Sequence, residues 1–308
     1  MSALDLVLPS TGAAATRRSR AERRMMRRGL VFAAPAALLL LATYIVPLLV
    51  LGGFSLTDYK LGAVSTRFIG LENFVQAFHD PVFRRALANT MLYAVIVIPC
   101  GVGLALGVAL LVQGRRRSRP FWEIAYFLPV TATLVAMATV WQFLLHPSLG
   151  PVNAAIRALG YAPVSFLATP SLMIPTLAVI GIWQVLGFNM VLFLAGLTGI
   201  PKDLNEAARL DGAKSPIDRF LTVTWPMLGP TTMFVVVTTS ITAFKVFETV
   251  AVLTKGGSGS ETLLYALYLE GFEYSETGYA AALTLLFLAL ILILSIWQTL
   301  HLDRKVHY

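Results

Sequence analysis

The sequence has few charged residues and a single cysteine. Asp, Glu, Lys and Arg make up 13% of its 308 residues, about half the share found in soluble globular domains. The lone thiol, Cys100, excludes an internal disulfide framework and a metal site built from several cysteines. The four histidines are scattered along the chain without metal-ligand spacing, so we expect no metal site. The residues are His79, His146, His301 and His307.

No P-loop motif occurs in the sequence, so we expect no ATP hydrolysis by this chain itself. The glycine-rich stretch TKGGSGSET lacks the Gly-Lys-Ser/Thr ending that a phosphate cradle requires. Its composition predicts a flexible turn instead.

Apolar residues dominate what is present. They make up 57% of the chain, and the mean hydropathy is +0.74. Six stretches approach or exceed the roughly 20 apolar residues that cross a bilayer, and the sequence therefore predicts an all-α polytopic membrane protein with six transmembrane helices. The predicted spans are 30–54, 87–112, 121–145, 172–197, 226–253 and 279–300.

The basic residues cluster on one side of this arrangement. They lie in the N-terminal segment, in the loops after spans two and four, and in the tail. By the positive-inside rule these segments and both termini are cytoplasmic. We therefore expect a basic cytoplasmic segment at 1–29, a six-helix domain at 30–300 and a cytoplasmic tail at 301–308. The net charge of +8 then reflects topology and contact with lipid, and we expect no nucleic-acid partner.

The cytoplasmic loop after span four predicts two short helices. Pro201 suits the first turn of a helix that ends near Leu210, and Gly212 permits the following turn. Ser215 is a favourable N-cap for a second helix that begins with Pro216. Such a pair is either a solvated loop or a projection that docks into a soluble partner, and physical reasoning alone does not separate the two.

Polar residues inside the predicted spans are candidates for a substrate pathway, because such residues are costly in lipid. Gln184 and Asn189 in span four lie about 140° apart on a helix, so they require a kink to face one ligand. Lys245 and Glu248 in span five are three residues apart, which fits either an intrahelical ion pair or contact with substrate. Nearby aromatic residues fit either helix packing or stacking on sugars. They are Trp183, Phe188, Phe244 and Phe247.

The segment EAARLDGA (206–213), followed by a Pro ending at 226, resembles the EAA loop of permease subunits of binding-protein-dependent ABC importers. The sequence is similar to the carbohydrate-uptake branch, the maltose and glycerol-3-phosphate permease group, over nearly its whole length. Matching stretches include FIGLENF, ALANTMLY, YFLPV, IWQVLGFNMVLFLAGLTGIPKDLNEAARLDGA and FKVFETVAVLTKGG. One departure is an extra residue between Gly212 and Val223-Thr224-Trp225-Pro226, which puts the geometry of the second short helix in question.

The resemblance implies a non-catalytic permease subunit in the cell (inner) membrane of a prokaryote. Its expected partners are a second homologous permease, two ATPase subunits that hold ATP and Mg, an extracytoplasmic solute-binding protein and the lipid bilayer. The expected solute is a sugar or sugar-like compound: an oligosaccharide, a polyol or a glycerol-phosphate compound. No cofactor is expected in this chain.

The resemblance also implies that the EAA loop, at about 200–226, seats in a cleft of the ATPase. The residues implied in that coupling are Glu206, Ala207, Ala208, Asp211 and Gly212.

Two other functions remain open from the residues: a membrane-embedded transferase, and an ion-coupled transporter that works alone. The first lacks clustered carboxylates or metal ligands, and the second lacks a clear internal repeat.

Overall fold

The computed structural model describes residues 20–115 and 117–303, and within these ranges the chain is helical apart from its connecting loops. The described ranges contain one isolated β-bridge, between Thr57 and Phe68. The predicted basic segment up to residue 19, Arg116 and the tail from residue 304 lie outside the described residues. The described residues from Gly52 onward form one compact unit, and the described residues before Gly52 form another.

The first helical run contains the first predicted span. Helix α1 (Arg20–Leu40) continues through a π turn (Leu41–Ile45) into α2 (Val46–Ser55). The part from Val31 to Ser55 is long and apolar enough to cross a membrane, which confirms the prediction at 30–54.

The second unit contains the other helices of the described residues. Two long helices, α4 and α8, pack along each other, and α5, α12 and α14 contact this pair or each other. The helices are α3 (Glu72–His79), α4 (Pro81–Gln113), α5 (Arg119–Thr131), α6 (Leu134–Leu144), α7 (Pro151–Ala158), α8 (Pro170–Thr198), α9 (Lys202–Leu210), α10 (Pro216–Arg219), α11 (Trp225–Met227), α12 (Gly229–Phe244), α13 (Leu263–Tyr268) and α14 (Thr277–Asp303).

Four of the predicted spans are unbroken helices, and two are bent. The helical runs at 31–55, 81–113, 170–198 and 277–301 pass the length and hydropathy test for a span. Helices α5 and α6 meet at an angle of 100°, so predicted span three is broken near Ala132. Pro129, inside α5, weakens the helix just before this point because it has no N–H to donate.

The fifth predicted span also differs from its expected form. The helical segment 216–227 meets α12 at 68°, and Pro230 in the first turn of α12 accounts for the break. Helix α12 ends at Phe244, nine residues before the predicted end at 253. Residues 246 and 247 are not helical, and a π turn follows at Val250–Thr254.

The core lies where α4, α8 and α12 meet. Its fully buried side chains include Val97 on α4, Leu177 and Phe193 on α8, and Val235 on α12. Helix α5 approaches α8 most closely at Gly187, where a Cβ atom would lie 2.7 Å from the carbonyl carbon of Tyr126. Only glycine permits that approach, which places α5 against the middle of α8.

Candidate functional site

Two cavities lie between α8, α12 and the break that joins α5 to α6. The first has a volume of about 220 Å³ and the second about 320 Å³. Gln184 on α8 and Thr242 on α12 line both, so the cavities are neighbours. Polar side chains in a largely apolar bundle point to a role beyond packing.

The first cavity surrounds the end of α12. Lys245 and Glu248 line it together with Gln184. Lys245 is exposed and Glu248 is half-buried. Thr249 also lines the cavity, and its Oγ1 is buried without a hydrogen-bond partner in the described structure. A buried hydroxyl without a partner is costly.

The Lys245–Glu248 ion pair does not form. None of the salt bridges found among the described residues includes either side chain. The pair requires a continuous helix, because only there do residues three apart become neighbours. Since α12 ends at Phe244, Lys245 lies in the C-cap and Glu248 begins the next helical segment.

The second cavity is lined by Gln184 and Asn189, together with Phe188, Thr238 and Thr239. Asn189 is 2% exposed, and its Nδ2 donates to Thr239 Oγ1 at 2.9 Å, which joins α8 to α12. Helix α8 runs without interruption from Pro170 to Thr198. Gln184 and Asn189 nevertheless line the same cavity.

All four predicted pathway residues therefore line one of the two cavities. The threonines of the lining were not predicted. Thr242 donates to its own helix at the Thr238 carbonyl, at 3.0 Å, as threonines of ordinary apolar helices also do. The run TTSITAF at 238–244 is the one signal that could have identified them.

The four aromatic candidates divide between packing and cavity lining. Trp183 packs edge-to-face on Trp141 with ring centroids 5.6 Å apart, and Phe244 is buried in the core. Phe188 lines the second cavity and Phe247 the first. Packing thus accounts for two of them.

A separate groove lies between the two short helices that follow α8. It has a volume of about 730 Å³. Its lining includes Ala207, Ala208, Asp211 and Gly212, whereas Glu206 is exposed and outside the lining. The structure therefore brings four of the five predicted loop residues to one groove.

Local sequence explains the form of this helix pair. Helix α9 ends at Leu210, and Gly212 follows with φ of +102°, a backbone conformation that favours glycine. Ser215 and Asp218 form a capping box, with Asp218 N donating to Ser215 Oγ at 3.0 Å and Ser215 N to Asp218 Oδ2 at 3.1 Å.

The second short helix continues toward Pro226 through a π turn. Residues 220–224 form this turn, and the N–H of Trp225 donates to the carbonyl of Phe220. A π turn takes one residue more than an α-helical turn. The helical run is continuous from Pro216 through Met227.

The loop that joins the end of α12 to α13 is held at several points, in contrast to the flexible turn expected for TKGGSGSET. Asn89 Nδ2 on α4 donates to the carbonyls of Gly259 and Glu261, at 2.8 Å each. Thr90 Oγ1 accepts from Leu263 N at 2.8 Å. The Arg85 and Glu261 side chains form a salt bridge of 3.2 Å.

Acidic side chains gather beside the start of α14. Asp80 accepts a hydrogen bond of 2.8 Å from the hydroxyl of Tyr279, and Glu276 pairs with Lys60. Burial, and then the nearby carboxylates of Asp80 and Glu276, raise the pKa of Glu270. Glu270 therefore keeps its proton to a higher pH than an ordinary glutamate.

Comparison with known proteins identifies relatives along most of the chain. The family described as "Binding-protein-dependent transport system inner membrane component" matches residues 97–308. The probable ABC transporter permease protein YurN of Bacillus subtilis is 36% identical over 87% of this chain and 93% of its own. The osmoprotective compounds uptake permease protein GgtC of Synechocystis is 35% identical over 85% and 94%. The sn-glycerol-3-phosphate transport system permease protein UgpA of Yersinia pseudotuberculosis is 30% identical over 80% and 84%.

A solved structure shares the fold. A chain of a bacterial alginate ABC transporter, in complex with an alginate pentasaccharide-bound periplasmic protein, superposes with a TM-score of 0.81. The match covers 94% of this chain and 98% of that chain at 23% sequence identity.

Proposed function

Since the chain belongs to the family of binding-protein-dependent transport system inner membrane components, we propose that its two neighbouring cavities form part of the path of a sugar-like solute. The chain is a multi-pass, non-catalytic permease subunit of an ABC importer. In such systems ATP hydrolysis takes place on partner ATPase subunits, and the chain itself holds no cofactor in this proposal.

The polar lining shared by the two cavities is the observation that carries the proposal. Gln184 lies at their junction, Lys245 and Glu248 lie at the rim of the first, and Asn189 and Thr239 line the second. Amide, hydroxyl and charged groups together match the donors and acceptors of a polyhydroxylated compound. Relatives named for sn-glycerol-3-phosphate and for osmoprotective compounds support an oligosaccharide, a polyol or a glycerol-phosphate compound as the solute.

The groove between α9 and the second short helix is our proposed contact with the ATPase. Glu206 is exposed and available to pair with a basic group of the partner. Ala207 and Ala208 leave room for close approach, and Gly212 makes the turn that the groove requires. In this proposal ATP binding and hydrolysis move this helix pair, and α8 and α12 transmit the movement to the cavities.

The topology and the assembly complete the proposal. The basic segment 1–29, the EAA loop at 200–226 and the tail 301–308 lie in the cytoplasm, and the six-helix domain at 30–300 lies in the membrane. The complex contains a second homologous permease, two ATPase subunits and an extracytoplasmic solute-binding protein.

To test the topology, we would replace Cys100 with Ala and introduce Lys202→Cys or Ser258→Cys. In right-side-out vesicles an impermeant maleimide should label Ser258→Cys alone, and the opposite pattern would overturn the orientation.

The solute path is tested by uptake measurements in vesicles that contain the assembled complex. Gln184→Ala, Lys245→Ala and Glu248→Ala should each lower uptake or change which labelled sugars and polyols are carried. Gln113→Ala is the matched control, because Gln113 lies on α4 outside the lining of both cavities. Uptake and solute range that match the control in all three variants would refute the path.

The coupling groove is tested by Glu206→Lys and Gly212→Val. We expect both to impair transport and solute-stimulated ATP hydrolysis, the first by reversing a charge and the second by straining a backbone with positive φ. Glu72→Lys makes the same charge change at an exposed position of α3 and serves as the control. Normal coupling in both groove variants would exclude this role.

A further inference from the structure

Four aromatic rings connect the first cavity with the protein surface. The rings, which we call the aromatic ladder, belong to Phe247, Tyr265, Tyr268 and Phe272. Phe247 lines the cavity, and its ring centroid lies 5.3 Å from that of Tyr268. The ring of Phe272 follows at 5.4 Å from Tyr268. The spacing is therefore continuous from the cavity outward.

Exposure increases from Phe247 through Tyr268 to Phe272, whereas Tyr265 is buried. Phe247 is half-buried, Tyr268 is 37% exposed, Phe272 is 76% exposed and Tyr265 is 7% exposed. A single interfacial aromatic would not reach a polar cavity. The ladder joins an interior polar site to the surface.

The ring geometry and the exposure of Tyr268 and Phe272 leave part of the faces of these two rings accessible. The planes of Tyr268 and Phe272 are inclined by 26°, and those of Tyr265 and Tyr268 by 24° at 6.3 Å. Nearly parallel rings at these centroid distances are offset, so part of each face is not covered by the next ring. Tyr265, Tyr268 and Phe272 follow at intervals of three and four residues, which places them along one side of α13 and the π turn that follows it.

We propose that the aromatic ladder binds the pyranose rings of the incoming solute and leads them into the first cavity. The proposal rests on the proposed function and narrows the solute to ring-containing carbohydrates. A pyranose ring has an apolar C–H face that packs on an aromatic ring, while its hydroxyl groups remain free for polar partners. The accessible faces of Phe272 and Tyr268, followed by the Phe247 ring in the cavity lining, offer weak, repeated binding that permits movement. The Gln184, Lys245 and Glu248 side chains then receive the hydroxyl groups in the cavity.

The test uses the complex purified through a tag on this chain and reconstituted in vesicles. Uptake of labelled maltose, trehalose and cellobiose is measured at low solute concentration. Tyr268→Ala and Phe272→Ala should lower uptake of the carried sugar by about tenfold, which corresponds to one lost stacking contact. Tyr268→Phe keeps the ring and should restore most of the uptake lost in Tyr268→Ala. Phe68→Ala is the matched control, because Phe68 is also 76% exposed but lies outside the ladder.

Each outcome supports or overturns the inference. Uptake in both ladder variants equal to that of Phe68→Ala overturns it. Loss of the ATPase or of the second permease from the purified variants also overturns it, because the rings would then form a protein interface. A wild-type complex that couples ATP hydrolysis to transport of a solute without a pyranose ring, but carries none of the three sugars, refutes the ladder and leaves the proposed function intact. A complex in which the wild-type chain shows no coupled transport contradicts both.

Discussion

Gly187→Ala should destabilise the protein through a backbone clash between α5 and α8. The added Cβ would lie 2.7 Å from the Tyr126 carbonyl carbon and 3.1 Å from Phe127 Cα, and it would overlap the carbonyl oxygen. Ordinary contacts at a Cβ are 3.4–4 Å, so the two backbones must separate. Because the obstructing atoms belong to a helix backbone, no side-chain rotation relieves the overlap. Overpacking of this kind costs about 1–3 kcal/mol.

The measurement is the free energy of unfolding in detergent, obtained by titration with SDS. Gly107→Ala is the control. Gly107 lies on α4, and a Cβ atom added there would have no neighbouring atom within 4 Å. Alanine also stabilises a helix relative to glycine by about 0.5–1 kcal/mol. We expect the two substitutions to change stability in opposite directions. Equal stability of the two variants would refute the reasoning. Gly187→Ala should also reduce uptake, since α5 leads directly to the break that lines the second cavity.

Three further predictions follow from hydrogen bonds and charge. Asn189→Leu and Thr239→Val should show a coupling free energy of about 1 kcal/mol in a double-mutant cycle, and additive effects would contradict the α8–α12 hydrogen bond. Thr90→Val should lower the free energy of unfolding by about 1–3 kcal/mol because the buried N–H of Leu263 loses its acceptor, whereas Thr90→Ser should retain most of it. Glu270→Gln should raise Tm. This gain should grow with pH, because Glu270, whose pKa is raised in the folded protein, becomes a destabilising carboxylate as it loses its proton in the wild type. A gain in Tm that does not depend on pH would exclude this electrostatic cause.

The positions of the spans follow from the sequence because they depend on local composition. A run of apolar residues with few charges specifies burial in lipid wherever the run lies in the chain. The turn at Gly212 and the cap at Ser215 are local as well, since each acts on a backbone within a few residues. Both features could therefore be anticipated without tertiary information.

Features that depend on distant partners were not predictable in this way. The loop at 254–262 has the composition of a flexible turn, yet Asn89 and Arg85 hold it from about 170 residues away. The close approach at Gly187 likewise depends on Tyr126 of another helix. Nothing in the neighbouring sequence of either segment indicates these contacts. The composition of the loop predicts a turn, but it does not reveal that distant side chains hold this turn in place.

The end of α12 shows why Lys245 and Glu248 could be singled out as candidates from the sequence, whereas their arrangement could not be predicted. Lys245 and Glu248 stand out as charges in an apolar segment, and the sequence between them contains no proline or glycine to mark a helix end. The structure ends the helix at Phe244, and Lys245, Val246 and Phe247 line the first cavity. Residues beside the break between α5 and α6 line the second cavity in the same way.

The end of α12 and the break between α5 and α6 therefore coincide with cavity walls, and there is a physical reason for the coincidence. A backbone that leaves the helix at membrane depth exposes N–H and C=O groups that lipid cannot satisfy. Such a backbone is tolerated where it faces protein or a water-filled space, and a polar cavity beside each of these two breaks meets that condition. In the proposed function, a solute path requires polar groups inside an apolar bundle. In a chain with 13% charged residues, the threonines and amides that line the two cavities supply most of these groups without further charged residues.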